Sequence, residues 1–251
     1  MIIRSIISVF VLLLLPPFCK IYADESEWDK IRFAGMPGGQ EYKVSMGTGF
    51  FINSNNIVTN RHVVSNCKNI AIRGAVPPTK AQLVILDPDL DLALLYSPAS
   101  PSKLPYLRLN YNQITKDEIL FTVGYPSRAA EIGKFVIKEA QVVNVETNPV
   151  HSFTNISFTD VINHGNSGGP LLDKNSNIVG VVTAKISYFK DHAETELDHT
   201  IGVAIGLDGL IDFLNRNNAS FAANSSYDIF TNYNPENIVK NYVVNIHCVS
   251  K

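Results

Sequence analysis

His164-Gly165-Asn166-Ser167-Gly168-Gly169-Pro170 is the stretch on which the reading of this chain turns. Small neighbours let the backbone turn sharply and leave the Ser167 hydroxyl clear of side chains. The same turn lets successive backbone N–H groups converge on one point, where a developing oxyanion can sit. A serine hydroxyl is a poor nucleophile at its ordinary pKa. It needs a base within hydrogen-bond reach, and the base needs a partner that orients it.

Both partners are available upstream. His62 follows the apolar run Ile57-Val58-Thr59 and lies in Asn60-Arg61-His62-Val63-Val64. Asp91 opens Asp91-Leu92-Ala93-Leu94-Leu95, and Asp89 is its nearest competitor for the acid role. Each residue alone has an ordinary explanation: a core histidine, a turn-capping aspartate, a serine in a glycine-rich turn. Together, in the order His, Asp, Ser, they make a candidate nucleophile, base and orienting acid.

The residues around them read as short strands separated by turns. Gly49-Phe50-Phe51-Ile52 and Ile57-Val58-Thr59 flank Asn53-Ser54-Asn55-Asn56, a hairpin by its turn residues. Further strands are expected at 81–86, 92–96, 118–124, 135–138, 140–145, 156–159 and 201–205, with 171–182 read as strand, turn, strand. Leu207 to Asn215 has apolar residues at helical spacing, with Asp208 placed to cap the helix. Ile238 to Ile246 is a candidate edge strand.

Five segments carry a family resemblance. They are Gly47-Thr48-Gly49-Phe50-Phe51-Ile52, Thr59-Asn60-Arg61-His62-Val63-Val64, Asp91-Leu92-Ala93-Leu94-Leu95, Gly124-Tyr125-Pro126 and Gly165-Asn166-Ser167-Gly168-Gly169-Pro170-Leu171-Leu172. In this order they resemble chymotrypsin-like serine proteases, closest to the HtrA/Deg branch, over roughly Gly47 to Leu214. The resemblance implies an all-β fold of two six-stranded antiparallel barrels with a C-terminal helix and an active site in the cleft between the barrels. It divides the chain into an N-terminal barrel (24–104) holding His62 and Asp91, a C-terminal barrel (105–216) holding Ser167, and a tail (217–251) of unassigned role. The tail is too short for a PDZ domain.

By the same resemblance His62 is the general base, Asp91 its orienting acid, and Ser167 the nucleophile of an acyl-enzyme endopeptidase. The N–H groups of Gly165 and Ser167 form the oxyanion hole. Val161, Ile162 and Asn163 before the serine, with Val182, Thr183 and Ala184 after it, line the primary specificity pocket. No acidic residue stands among them, which argues against cleavage after Lys or Arg and favours small or medium apolar residues. His164 reads as a rim residue. Proteins or peptides are the expected substrates, and no cofactor or metal is called for.

Two rival readings differ in kind. Gly165-x-Ser167-x-Gly169 also matches the nucleophile elbow of α/β-hydrolases, with Asp191 and His199 downstream. That fold needs a helix after the serine, where Pro170 and strand-like runs stand instead. The other rival is a latent or non-catalytic binding protein on a protease scaffold.

The termini and composition bound the rest. Arg4, an apolar run from Ile6 to Leu15, Pro16-Pro17 and the small residue Ala23 have the order of a cleavable signal peptide, residues 1–23. The run is short for a membrane span, so stable membrane insertion is not expected and export is. Removing the segment leaves Cys67 and Cys248, which suit one disulfide in an exported protein, or two free thiols. A net charge of −2 gives no field that would attract nucleic acid. Lys190 to His199 reads as a solvated acidic loop, with a cation site or an exosite for basic substrate segments as the alternative.

Overall fold

A computed structural model describes residues 25–109, 114–126, 130–147, 153–159, 164–189, 197–224 and 234–251, with backbone alone for 25–26, 187–189 and 197–199. Its strands close two antiparallel barrels of six strands each, the all-β architecture expected above.

The first barrel takes five strands from one stretch of chain: β1 (Lys43–Phe51), β2 (Asn56–Asn60), β3 (Asn69–Gly74), β4 (Thr79–Asp87) and β5 (Leu92–Tyr96). The β1–β2 turn is set by Asn53, whose Oδ1 accepts the N–H groups of Asn55 and Asn56 at 3.1 and 2.8 Å. Helix α2 (Arg61–Val64) follows β2 and buries Val63 and Val64. The sixth strand comes from the far end of the chain. β14 (Val243–Ser250) pairs antiparallel with β1 on one side and β3 on the other.

That placement corrects two expectations. The tail is a central strand rather than an edge, and the N-terminal barrel does not end at residue 104. The strand also begins later than expected, because 236–239 form helix α4 (Glu236–Val239) after the second barrel's own helix. β14 is buried from Val243 to Val249, so both of its faces are covered. Inside, Ile246 packs where Gly49 leaves room. Outside, Asn245 Nδ2 donates to Ala130 O at 3.0 Å, and the Trp28 ring of α1 (Glu25–Arg32) meets His247 edge-on at 4.9 Å. A disulfide joins Cys248 to Cys67, three residues beyond α2.

The second barrel is built from β7 (Ile119–Gly124), β8 (Val136–Thr147), β9 (Thr154–Thr159), β10 (Pro170–Leu172), β11 (Ile178–Phe189) and β12 (Leu197–Gly206), closed by the pairing of β10 with β11. Two short strands, β6 (Tyr106–Arg108) and β13 (Ala222–Asn224), extend it by parallel pairing beside β11. Helix α3 (Leu207–Arg216) buries Leu207, Leu210, Phe213 and Leu214. Asp208 does not occupy the cap position, which is Gly206, but its Oδ1 accepts the first-turn N–H of Gly209 at 2.9 Å. Its Oδ2 accepts from Thr154 N and Oγ1, both at 2.8 Å, which fastens the helix to β9. Among the described residues no helix is long and apolar enough to cross a membrane.

Candidate active site

β2 ends at Asn60, and the short helix α2 presents His62 at once. His62 Nδ1 donates to Asp91 Oδ2 at 2.7 Å, and His62 N donates to Asp91 Oδ1 at 3.0 Å. A carboxylate on Nδ1 fixes that nitrogen as the donor and leaves the Nε2 lone pair free to accept a proton. Asp91 is held in a left-handed conformation, φ +52°, which aspartate tolerates better than most residues. Its own carbonyl takes Arg61 N at 2.9 Å and Asn60 Nδ2 at 3.1 Å, locking the two segments together. The preceding turn is shaped by Asp87, whose Oδ1 accepts the N–H groups of Asp89 and Leu90, each at 3.0 Å. Of the two candidate acids, the one brought to His62 is Asp91.

Thr183 adds a contact that the sequence reading did not assign. Its hydroxyl donates to Asp91 Oδ2 at 2.9 Å, while its carbonyl accepts the Ser167 hydroxyl at 3.4 Å. Thr183 therefore bridges the acid and the serine. Burial pushes the Asp91 carboxyl up, but the hydrogen bonds and charge of His62, with the Thr183 hydroxyl, outweigh it and hold the pKa below the ordinary carboxylate value. The Ser167 hydroxyl makes no hydrogen bond to His62 among the described residues; its partner is the Thr183 carbonyl.

The serine loop is pinned by backbone. Gly165 (φ +105°) and Gly168 (φ +83°) both lie where side chains are disfavoured. A Cβ on Gly165 would run into the Tyr125 carbonyl oxygen, and one on Gly168 into Thr59 Oγ1 and Thr48 O. Thr48 is the hub. Its N–H donates to Ser167 O at 2.9 Å, its hydroxyl donates to Gly165 O at 2.6 Å and accepts Tyr125 N at 2.9 Å, and its carbonyl accepts Thr59 Oγ1 at 2.7 Å. With Gly168 N on Val182 O at 2.8 Å, these bonds turn the loop so that the N–H groups of Gly165 and Ser167 donate to nothing among the described residues. The sequence signal for Thr48 was its position between two glycines in Gly47-Thr48-Gly49.

The pocket set is only partly brought together. Val161, Ile162 and Asn163 lie outside the described residues. Val182 is corrected: its side chain is fully buried in the second barrel's core, packed with residues such as Ile156, Phe158 and Leu171. A bulge between Val182 and Ala184 breaks the strand's alternation, so Thr183 is half-buried and Ala184 exposed. His164 is exposed. Most of the acidic loop, residues 190–196, lies outside the described residues. Among those described, no group of three metal-ligating side chains converges.

Residues 47–181 match the trypsin-like peptidase domain, and the chain belongs to that family. It is 31% identical over 170 residues to "Serine protease Rv3671c" of Mycobacterium tuberculosis, a match covering 65% of this chain and 41% of the relative. It is 32% identical over 173 residues to a "Probable periplasmic serine endoprotease DegP-like" of Pseudomonas fulva, covering 66% of this chain and 35% of the relative. The chain thus spans well under half the length of these curated relatives. The crystal structure of the active form of the Rv3671c protease superposes with a TM-score of 0.58 at 23% identity, covering 74% of this chain and 80% of that one. An HtrA-type protease with a bound tripeptide gives 0.54 at 21% identity, covering 70% and 60%. These two likenesses speak to the fold.

Proposed function

We propose that the chain is a serine endopeptidase of the HtrA-like kind that cleaves peptide bonds through an acyl-enzyme. The observation that carries this reading is the two-point contact between His62 and Asp91, tied through Thr183 to Ser167. In this scheme Ser167 Oγ attacks the scissile carbonyl, and His62 Nε2 takes its proton and then delivers it to the leaving amine. Asp91 keeps the imidazole in the required tautomer and stabilises its cation. The N–H groups of Gly165 and Ser167, which donate to nothing among the described residues, receive the oxyanion. Thr183 and Ala184 form one side of the cleft for a small or medium apolar side chain preceding the cut. The periplasmic relative and the N-terminal signal-like segment support export, with the mature chain starting near Asp24. N-terminal sequencing of the exported protein tests that boundary.

A second reading has its own observation. The Ser167 hydroxyl rests on the Thr183 carbonyl rather than on His62, which suits a resting enzyme whose nucleophile has yet to turn.

A fluorophosphonate probe used beside a casein digest tests both. We expect labelling and cleavage in the native protein, and the loss of both in Ser167→Ala, with turnover down at least ~10³-fold. Labelling without proteolysis would leave an esterase. Neither signal, in a folded protein, would favour the latent or binding reading. A peptide-library profile dominated by Arg or Glu before the cut would overturn the specificity.

A further inference from the structure

The turn that carries Ser167 belongs to the second barrel, but it has little stiffness of its own. Glycine stands at 165, 168 and 169, and Gly165 and Gly168 take φ of +105° and +83°. Glycine has no side chain that would restrict such a turn to one shape. The second barrel contributes Gly169 N on Asn166 O at 2.9 Å, Gly168 N on Val182 O at 2.8 Å and Val182 N on Gly169 O at 2.9 Å. None of these bonds reaches Gly165.

Gly165 is reached from the first barrel. Its carbonyl accepts the hydroxyl of Thr48, on β1, at 2.6 Å. The Ser167 carbonyl accepts Thr48 N at 2.9 Å. One residue of the first barrel therefore grips the turn on both sides of Asn166. Peptide units are planar, so a held carbonyl fixes its whole unit. The unit bearing Gly165 O lies between the units that carry Gly165 N and Ser167 N. Its orientation sets how those two N–H groups stand relative to each other.

The gripping hydroxyl is itself fixed. Thr48 is fully buried. Tyr125 N donates to its Oγ1 at 2.9 Å, which leaves the hydroxyl proton for Gly165 O. Its carbonyl accepts the Thr59 hydroxyl at 2.7 Å. The chain from Tyr125 N through Thr48 Oγ1 to Gly165 O is a relay in which each bond strengthens the next.

We propose that Thr48 is a positioning residue for the oxyanion hole, so that the hole is set by the contact between the two barrels and not by the serine loop alone. The inference rests on the reading of Ser167 as nucleophile and of the Gly165 and Ser167 N–H groups as the hole. Thr48 acts through the turn and holds no substrate group. Its loss therefore slows attack without weakening binding.

The test is labelling by a fluorophosphonate, with the maximal rate and the half-saturating concentration read separately. Thr48→Ala removes the hydroxyl without adding bulk. Its maximal rate should fall ~10-fold or more, with the half-saturating concentration little changed. Thr48→Val places a methyl where Oγ1 now lies 2.6 Å from Gly165 O, too close for carbon, and should fall at least as far. Thr48→Ser keeps the donor and should label within about threefold of the native rate. Circular dichroism reports the fold of each variant, and where one hydroxyl-free variant does not fold, the other is read. Native labelling no faster than that of Ser167→Ala would overturn the nucleophile reading and this proposal together. With native labelling intact, three results would overturn the proposal alone. They are a folded hydroxyl-free variant that labels at the native rate, a loss confined to the half-saturating concentration, and a Thr48→Ser protein as slow as Thr48→Ala.

Discussion

The two barrels are alike in strand number and unlike in how they close. The second is built from one run of chain, Ile119 to Gly206, and carries the serine loop. The first carries His62 and Asp91 and cannot close from its own stretch. Its five local strands leave a gap between β1 and β3, which β14 fills from beyond the second barrel. The two halves of the candidate site are therefore supported unequally. Ser167 sits in a turn held from both barrels, by Thr48 of β1 and Val182 of β11, whereas the His62 side lies wholly on the barrel that is closed by a strand nearly 200 residues away in sequence.

The sharpest way to break that contrast is to remove residues 236–251. We expect the first barrel to open, with loss of all hydrolysis and of the cooperative melting transition followed by circular dichroism. A truncated protein that still melts cooperatively and cleaves casein would show that five strands suffice.

Gly165→Ala probes the opposite half. The left-handed φ and the Tyr125 carbonyl leave no room for a methyl group, so the turn must shift. Turnover should fall ~10²-fold or more as an oxyanion donor moves off its mark, with the barrel intact by circular dichroism. Unchanged turnover would remove Gly165 N from the proposed mechanism.

Cys67→Ser with Cys248→Ser tests the staple on the remote strand. The sulfurs join residues 181 apart, so the bond restricts the unfolded chain strongly. Stability in urea should drop by about 2–5 kcal/mol, and a loss near zero would mean that β14 is held by its pairing and packing alone.

The smallest expected effect is at Thr183. Thr183→Val removes the hydroxyl from Asp91 and keeps the shape, so turnover should fall roughly three- to tenfold with KM little changed. The sign of the pH effect follows from the depressed Asp91 pKa. The ionised carboxylate's contribution is present above the unfolded value and lost as pH falls through the folded one. Without the hydroxyl the folded pKa rises, so the variant should lose this contribution to stability at a higher pH than the native protein as the solution is acidified, read from urea unfolding at falling pH. An acid stability profile that stays in place would leave Thr183 a packing role only.

What was legible in the sequence was local. Gly165 and Gly168 around Ser167 announce a sharp turn, because a side chain at either glycine meets backbone or a neighbouring hydroxyl. His62 and Asp91 each sit at a strand end, where a few backbone bonds decide the geometry. What was not legible was decided at long range or by one irregularity. Val243-Val244-Asn245-Ile246-His247-Cys248 shows no clean alternation, because both faces of β14 are covered, so the pattern hid a central strand. Val182 faces the core because a bulge follows it, and a bulge leaves no period to read. Thr48 is a small polar residue in a strand until the loop it braces, more than a hundred residues later, is in view.

The placement of β14 also sets an order in time. As the chain is made from its N-terminus, every strand of the second barrel emerges before Val243 to Ser250 do. Pairings between such distant segments are the slow ones, because the intervening chain must be ordered before they form. The growing protein therefore has the means to finish its second barrel while the first still lacks a stave. All strands of the barrel that carries Ser167 are available before β14 closes the barrel that carries His62 and Asp91.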